Sequence, residues 1–595
     1  MVWDQKEKGT YEFFLEKHKI IFMLFMWLFV GLSSRLFYLQ ILKGGRYKKI
    51  SEQQRTHTTH ERAPRGIIYS ADGTILARNE FSYVALFYPL THGQVPSNKL
   101  LKELSKVLGR NIISTVNISQ KYSRFIKLAD NLTVNEMFQI QEKKILGLEN
   151  VTVARESRRV YHSPEVISHI TGYVNEIGYD EVEKLLKQGY KIGDHIGRGA
   201  MEQSYDKYLQ GKDGGWQIEV SARGRQIKSF EYVSPKAGAN VYSTIIFKLQ
   251  QVAYDALKNS TTGRGAVVVL DTRTGAVIVL VSCPGFDINK VGTKEFAKYL
   301  NDKRLSFFNR ALQAMYPPGS VFKVITFAAA VELLNINPKE TVQCTGCFRL
   351  GDRHYSCWKK SGHGEMNLIF ATMHSCNIYF YHLGLKLGIK NLEKYAKKFY
   401  FGQKTGIDLP NEKKGFIPNP AWKKSKMKKP WFKGDTVIFA IGQGALWATP
   451  LQIAYIASGI ANKGVCHRPY IVNKILEVDG KEIYRHILKS DRFISLSDKT
   501  WNLLHKALFE TIENGTGIRS KLPGIKIAGK TGTAQNPQGE DHAWFISYAP
   551  ADNPEIAMVV IVENGGGGGL NAVPIGKKIY ETYFNIISKK EKKLI

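Results

Sequence analysis

Ala266-Val-Val-Val-Leu-Asp-Thr-Arg-Thr-Gly-Ala-Val-Ile-Val-Leu280 sets two β-branched runs around a polar turn containing Gly275, and that pattern predicts a hairpin. A second pair, Ala543-Trp-Phe-Ile-Ser-Tyr-Ala549 and Ile556-Ala-Met-Val-Val-Ile-Val562, flanks a turn rich in Pro, Asp and Asn near the other end of the chain. Long helical patterns lie between the pairs, including Ser320 to Leu334 and Pro450 to Ala461. Strands at both ends with helices between them predict an α+β unit whose antiparallel sheet is built from its two termini.

Before about Asn240 the character differs. From Gly44 to Ala239, short β-like stretches (Gly66–Tyr69, Thr74–Ala77, Tyr83–Tyr88) alternate with charged helical ones (Leu100–Leu108, Val134–Lys143), and no phosphate-cradling Gly-rich loop occurs. Further upstream an uncharged run, Ile20–Ser34, meets Arg35 and continues as Leu36–Leu42. Its fifteen residues cover about 22 Å, short of a hydrocarbon core of about 30 Å. Arg35 is therefore expected at the far interface, its stem snorkelling and Tyr38 in the headgroup zone. No Ala-x-Ala pattern follows, which favours a retained anchor over a cleaved signal peptide. Lysines before the span (Lys6, Lys8, Lys17, Lys19) nearly balance the cations after it, so orientation rests on the large body that follows without a second span. The expected division is a cytoplasmic tail at 1–19, an anchor at 20–42, a second region at 43–239, a catalytic-sized domain at 240–588 and a basic tail at 589–595. Gly565–Gly569 reads as a flexible loop.

The 595 residues carry 84 Lys and Arg against 52 Asp and Glu, a net charge of +32. With 43% apolar and 23% charged residues the chain is neither disordered nor many-spanned. The field alone suits nucleic acid as well as anionic lipid or cell-wall polymer.

Chemistry begins at Tyr316-Pro-Pro-Gly-Ser-Val-Phe-Lys323. At i and i+3 the Ser320 hydroxyl and Lys323 amine share a helix face, and the helix start favours a nucleophilic oxygen. Alone this says little, because Ser204/Lys207, Ser356/Lys359 and Ser425/Lys428 have the same spacing. Its company is specific: Ser375-Cys-Asn377 follows 55 residues after Ser320, and Ile525-Lys-Ile-Ala-Gly-Lys-Thr-Gly-Thr533 places Lys530 at the end of an expected strand before the terminal hairpin. A rival Lys404-Thr405-Gly406 lacks an apolar strand before it and reads as a turn.

These three motifs, in this order, resemble those of the penicillin-recognising serine transpeptidases. Arg35-Leu-Phe-Tyr-Leu-Gln-Ile41, Arg65-Gly-Ile-Ile-Tyr69 with Asp72–Ala77, His169–Val174, Gly199–Tyr205 and Arg223-Gly-Arg225 are similar to the stem and pedestal of class B penicillin-binding proteins, and Gly442-Gln-Gly444 with Thr449–Gln452 to a connecting segment of their transpeptidase domain. Tyr69-Ser-Ala-Asp-Gly73 departs from the family's Asp-Arg-Asn-Gly, which puts the local turn contacts in doubt. No segment resembles a glycosyltransferase domain.

The resemblance implies attack by Ser320 on a D-Ala-D-Ala carbonyl with Lys323 as base, Ser375 and Asn377 relaying the proton and holding the peptide, and Lys530, Thr531 and Thr533, around Gly532, facing the substrate carboxylate. It places the oxyanion hole at the N–H groups of Ser320 and Thr533, where one donor is worth about 3 kcal/mol. The acyl-enzyme passes to a neighbouring stem-peptide amine, or to water in a carboxypeptidase reaction; the motifs do not separate the two. A β-lactam enters as a false substrate.

Four of the six cysteines fall within 33 residues, and Cys344, Cys357, His363 and Cys376 follow the spacing C-x12-C-x5-H-x12-C. That set could close a structural Cys3His zinc site, with Cys347 as an alternative to Cys344 and disulfides as the competing reading. His354 and His374 are read as surface or packing residues. The cluster resembles one in the elongation-type penicillin-binding protein 2 branch, and argues against the septal branch. A β-lactam receptor would carry more spans or an effector domain; a catalytically dead scaffold remains the other alternative. The expectation is a single-pass protein of the cell inner membrane with a periplasmic body, acting on peptidoglycan stem peptides. The resemblance implies a RodA-type glycan polymerase and an MreC-like regulator as partners. The positive charge then suits lipid headgroups and peptidoglycan rather than nucleic acid.

Overall fold

The computed structural model describes residues 4–45, 56–58, 62–87, 95–112, 126–142, 148, 150–187, 190, 194–220, 226–293, 295–489 and 492–591. Arg223–Arg225 and the last four residues of the basic tail lie outside them. The chain divides into two compact units, Met1–Ala63 with Lys212–Lys236, and Pro64–Gly211 with Ala237–Ile595.

In the first unit, Asp4–Phe37 is one helix that continues into a π-helical turn, Tyr38–Leu42. Within it Ile21–Leu42, 22 residues, is long and apolar enough to cross a membrane, and no other helix among the described residues is. The Arg35 guanidinium lies 5.4 Å and the Lys43 amine 5.0 Å from the centre of the Tyr38 ring, so the end of the span carries the amphipathic group that suits an interface. Thr56–Thr58, Gly215–Val220 and Gln226–Val233 form a small antiparallel sheet.

The second unit is built on a five-stranded antiparallel sheet ordered Val277–Cys283, Gly265–Asp271, Ile556–Val562, His542–Ala549, Ala528–Ala534. Both expected hairpins are present, and the two ends of the domain meet where Val268 faces Val559. The central strands are buried at every position except the end residues Asp271 and His542, because both faces are covered. Val267, Val269, Phe545 and Val560 pack with Leu249 and Ile579 of the helices Phe247–Lys258 and Val573–Glu591. Val268, Leu270, Ile546 and Val559 pack on the other side with Phe327 and Ile453. There Pro450–Ala461 is buried at all twelve positions.

A seven-stranded sheet joins segments from either side of position 240: Asn240–Ser243 pairs in parallel with Ile68–Tyr69 and antiparallel with Val472–Leu476. The separate β-like stretches at 74–77 and 83–88 are one strand, Ile75–Phe87. It survives the polar residues Arg78 to Glu80 because Val151–Tyr161 pairs with it throughout. The departing turn at 69–73 has a clear task. Asp72 accepts from the N–H groups of Phe247 (3.1 Å) and Lys248 (3.3 Å), capping a helix far along the chain.

Candidate active site

The nucleophile's turn begins with two prolines and Gly319, whose φ of +56° is a left-handed conformation. Gly319–Phe322 forms a 3-10 turn, and the α-helix runs from Lys323 to Leu334, so the helix expected from Ser320 starts three residues later. In 3-10 geometry residues i and i+3 eclipse, which aligns half-buried Ser320 with Lys323, itself completely buried. The lysines of the other three Ser-x-x-Lys matches, Lys207, Lys359 and Lys428, are all exposed.

Lys323 joins the first two motifs. Its Nζ donates to the Ser375 carbonyl at 2.8 Å and to Asn377 Oδ1 at 2.7 Å, and stands 3.3 Å from Ser375 Oγ. Burial, opposed by the nearby Cys376 and Cys357, brings the amine down to about 8. Ser375 sits between the helices Leu368–Met373 and Asn377–Lys398 at φ +54°. A non-glycine residue there costs about 1–3 kcal/mol, and the surroundings that hold it include its own N–H on Thr372 O and that of Cys376 on Ala371 O.

The third motif lies on the edge strand Ala528–Ala534, where Lys530 is an interior residue rather than the strand's end. Its Nζ donates to Thr531 O at 3.0 Å. Burial, reinforced by the charge of Lys323, pushes Lys530 well below the usual lysine range. The Thr533 carbonyl receives Gln443 Nε2 at 3.4 Å, and a Cβ on Gly319 would stand 2.7 Å from it. In an extended strand a residue's C=O and N–H point to the same edge. The Thr533 N–H is therefore directed to the open edge beside Ser320.

Backbone proximity assembles this side. Gly319 N donates to Gly442 O, and Trp544 Nε1 to Pro317 O at 3.1 Å. A Cβ on Gly532 would press on Val321 at 3.0 Å. The glycine run at 565–569 is only partly a loop: Gly568–Asn571 is a short helix, and buried Gly568 lies against the Gly532 carbonyl, where a Cβ would come within 2.3 Å. Gln443, of the Gly442-Gln-Gly444 segment noted for its resemblance, gains a contact here, and Thr516 carries no sequence signal. Gln443 reaches Thr533, and Thr516 Oγ1 pairs with Thr531 Oγ1 at 2.5 Å. Lys404-Thr405-Gly406 lies apart in a loop closed by Glu412, which accepts from Thr405 and Gly406.

The ligand atoms of Cys344, Cys357, His363 and Cys376 all lie within 4.8 Å of one another. His363 Nδ1 is 3.4 Å from Cys344 Sγ and 3.5 Å from Cys357 Sγ. None of the six cysteines is in a disulfide. Cys347 is exposed and faces His354 Nδ1 at 3.4 Å instead, so Cys344 is the member that joins the cluster. The Cys357 thiol is held down by its hydrogen bond with the Cys376 thiol and by the Asn377 N–H at 3.3 Å; Cys376 is raised in turn. A thiolate already held by N–H donors, two further thiols and an imidazole at these separations suit a soft divalent ion closed to solvent.

The penicillin binding protein transpeptidase domain matches residues 265–581, and the penicillin-binding protein dimerisation domain residues 60–243. The peptidoglycan D,D-transpeptidase MrdA of Acinetobacter baumannii is 32% identical over 590 residues, covering 94% of this chain and 86% of that protein. The penicillin-binding protein PBP2 of Helicobacter pylori, solved in complex with MreC, superposes with a TM-score of 0.75 at 27% identity, covering 89% of this chain and 99% of that one. A chain from a peptidoglycan synthase complex, solved in a study of how polymerization and crosslinking are coordinated, gives a TM-score of 0.70 at 27% identity over 96% of this chain and 98% of its own length. With the three motifs gathered around one buried lysine and these matches spanning both regions, the chain belongs to the penicillin-binding protein transpeptidase family.

Proposed function

We propose that the protein is a membrane-anchored peptidoglycan D,D-transpeptidase of lateral wall elongation. The observation that carries this is Lys323: one buried amine, aligned with Ser320, contacts Ser375 and Asn377 and is coupled to Lys530. Ser320 Oγ attacks the penultimate D-Ala carbonyl while neutral Lys323 takes its proton. The Ser320 and Thr533 N–H groups receive the oxyanion. As the C–N bond breaks, the proton returns through Ser375 to the departing D-Ala amine. A stem-peptide amine then attacks the ester, releasing Ser320; attack by water gives the carboxypeptidase product. Lys530, with Thr531 and Thr533, binds the substrate carboxylate, and because burial disfavours its charge, the arriving carboxylate favours protonation of Lys530 as it binds.

Zinc is the ion proposed for Cys344, Cys357, His363 and Cys376, where it supplies a closed structural cross-link. Asn377 N bonds Cys357 Sγ and Cys376 lies between Ser375 and Asn377, so these ligands fix the second motif. The apolar span supports placement in the cell inner membrane with the body outside the cytoplasm. The likeness to a chain solved with MreC and to one from a synthase complex supports an MreC-like regulator and a RodA-type polymerase as partners. Acylation by a fluorescent penicillin tests the reading: the wild type should label, and Ser320→Ala should lose all labelling. Labelling of the Ala variant removes Ser320 as nucleophile, and labelling of neither supports a scaffold.

A further inference from the structure

A cavity of about 410 Å³ opens beside the nucleophile's turn. Arg264, Lys303 and Arg310 bring three cations to it against the single carboxylate of Glu563. That carboxylate is already engaged: it accepts from Arg310 Nε at 3.0 Å and from the Tyr316 hydroxyl at 2.5 Å. Arg310, 2% exposed, directs its remaining N–H groups to the carbonyls of Leu305 and Arg304 and is part of the wall. Exposed Lys303 is left to face a ligand, and one-third-exposed Arg264, held at the rim by Asn564 Oδ1 at 3.4 Å and 3.9 Å from Glu563, adds its charge beside it. Phe308, Met315 and Trp447 expose 37%, 41% and 41% of their surfaces around the same cavity. Cations on an apolar, aromatic wall select a carboxylate carried on a chain with apolar parts.

The position says which chain. The strand Ala528–Ala534 is an edge strand, to which an extended peptide can add. A peptide whose C-terminal carboxylate lies near Lys530 runs with its upstream residues toward Ala534. Ala534 pairs with His542, whose ring is 5.3 Å from that of Tyr316 and whose Nδ1 accepts from Asn564 N, next to Glu563. At about 3.3 Å per residue, four residues of added peptide match the strand from Lys530 to Ala534, the end nearest His542.

We propose that this cavity is a subsite for a carboxylate-bearing segment of the donor stem peptide, upstream of the reacting D-Ala-D-Ala. The proposal rests on the transpeptidase reading above. The test uses the full chain in detergent, with active sites counted by stoichiometric penicillin labelling. Two pentapeptides ending in D-Ala-D-Ala are compared, one with a free upstream carboxylate and one with that carboxylate amidated, by D-Ala released per labelled site. The wild type should prefer the free carboxylate. Lys303→Glu, on an exposed side chain, and Arg264→Ala should each lower release from the acidic peptide by about five- to tenfold relative to the amidated one. Equal loss with both peptides, or no loss with either, overturns the subsite, as does a loss that follows an attached glycan rather than the carboxylate. A wild type that labels at Ser320 yet releases D-Ala from neither peptide overturns the transpeptidase reading itself.

Discussion

The two arms that meet at Lys323 are held by different physics. Ser320 and Thr533 sit on backbone packed against backbone: Gly319 on the Thr533 carbonyl, Gly442 on Gly319, Gly568 on Gly532. Ser375 sits in the short link between two helices and Asn377 opens the second of them, and the groups clustered around that link are side chains, three thiols and an imidazole. The first arm is part of the sheet, whose strands are buried on both faces. The second has only two short two-stranded sheets beside it, Val342–Cys344 with Gly364–Met366 and Cys347–Leu350 with Arg353–Ser356, and its Ser375 holds a left-handed conformation that must be stabilised from outside. Rigidity that comes from close backbone packing is lost by adding an atom, whereas rigidity that would come from the proposed metal cross-link is lost by removing one.

Adding the atom should have the larger effect. Gly319→Ala places a Cβ 2.7 Å from a backbone oxygen and strains a φ of +56°, so neither partner can yield cheaply. Penicillin acylation should fall by about a hundredfold or more, the loss expected when one oxyanion donor is misplaced. Stopped-flow acylation measures it, and the defect should ignore chelators. A variant that acylates at the wild-type rate would show that Thr533 can retreat, and the packing argument for this arm would go.

Removing the proposed cross-link should cost less and respond to metal. Cys357→Ser, or stripping the wild type with a strong chelator, should lower acylation by about ten- to a hundredfold, the range for lost support around a metal site. Elemental analysis should find about one zinc per chain in the wild type. Chelator treatment that leaves Cys357→Ser unaffected while slowing the wild type sharpens the contrast; metal-free wild type with full activity removes it.

The same contrast explains what was legible in the sequence. That Ser320, Lys323, Ser375, Asn377, Lys530, Thr531 and Thr533 lie together was expected because the proposed chemistry demands those residue types at those spacings, and that Cys344, Cys357, His363 and Cys376 cluster was expected because metal-ligand spacing is itself a pattern. The glycine-packed arm was far less so. Nothing local to Gly568 announces that a strand carbonyl lies against it, and its run read as a flexible loop. Gln443 stood in a segment quoted only for its resemblance, with no contact assigned, and Thr516 enters through one long-range hydrogen bond, which leaves no periodicity. Arg78 to Glu80 interrupt the apolar pattern of a strand continued by its partner, so 74–77 and 83–88 read as two pieces. The Ser320 helix was placed three residues early because the 3-10 turn depends on contacts with Gly442 and Thr533.

Lys323 belongs to both arms, and its titration reports on their junction. Burial lowers the amine to about 8, and only the neutral form accepts the serine proton. Below that value the acylation rate should therefore fall by about tenfold per pH unit, and above it level off. A limb centred near the ordinary lysine value would mean that the arms do not close over the amine.

The smallest effect expected lies at the outer rim of the thiol arm. Trp358 is 58% exposed, and its Nε1 donates to the His374 carbonyl at 3.0 Å, one residue before Ser375. Trp358→Phe removes that bond and keeps a ring near His363, whose own ring centre is 5.2 Å away. A hydrogen bond contributes about 0.5–1.5 kcal/mol and an exposed one lies at the low end, near about 0.5 kcal/mol, so acylation should change by less than about threefold while metal content stays at the wild-type level. If Trp358→Phe instead matches Cys357→Ser in rate with its metal retained, the Trp358–His374 contact rather than the proposed cross-link holds Ser375 in its left-handed conformation, and the two arms would then differ less in kind than in the length of chain that secures them.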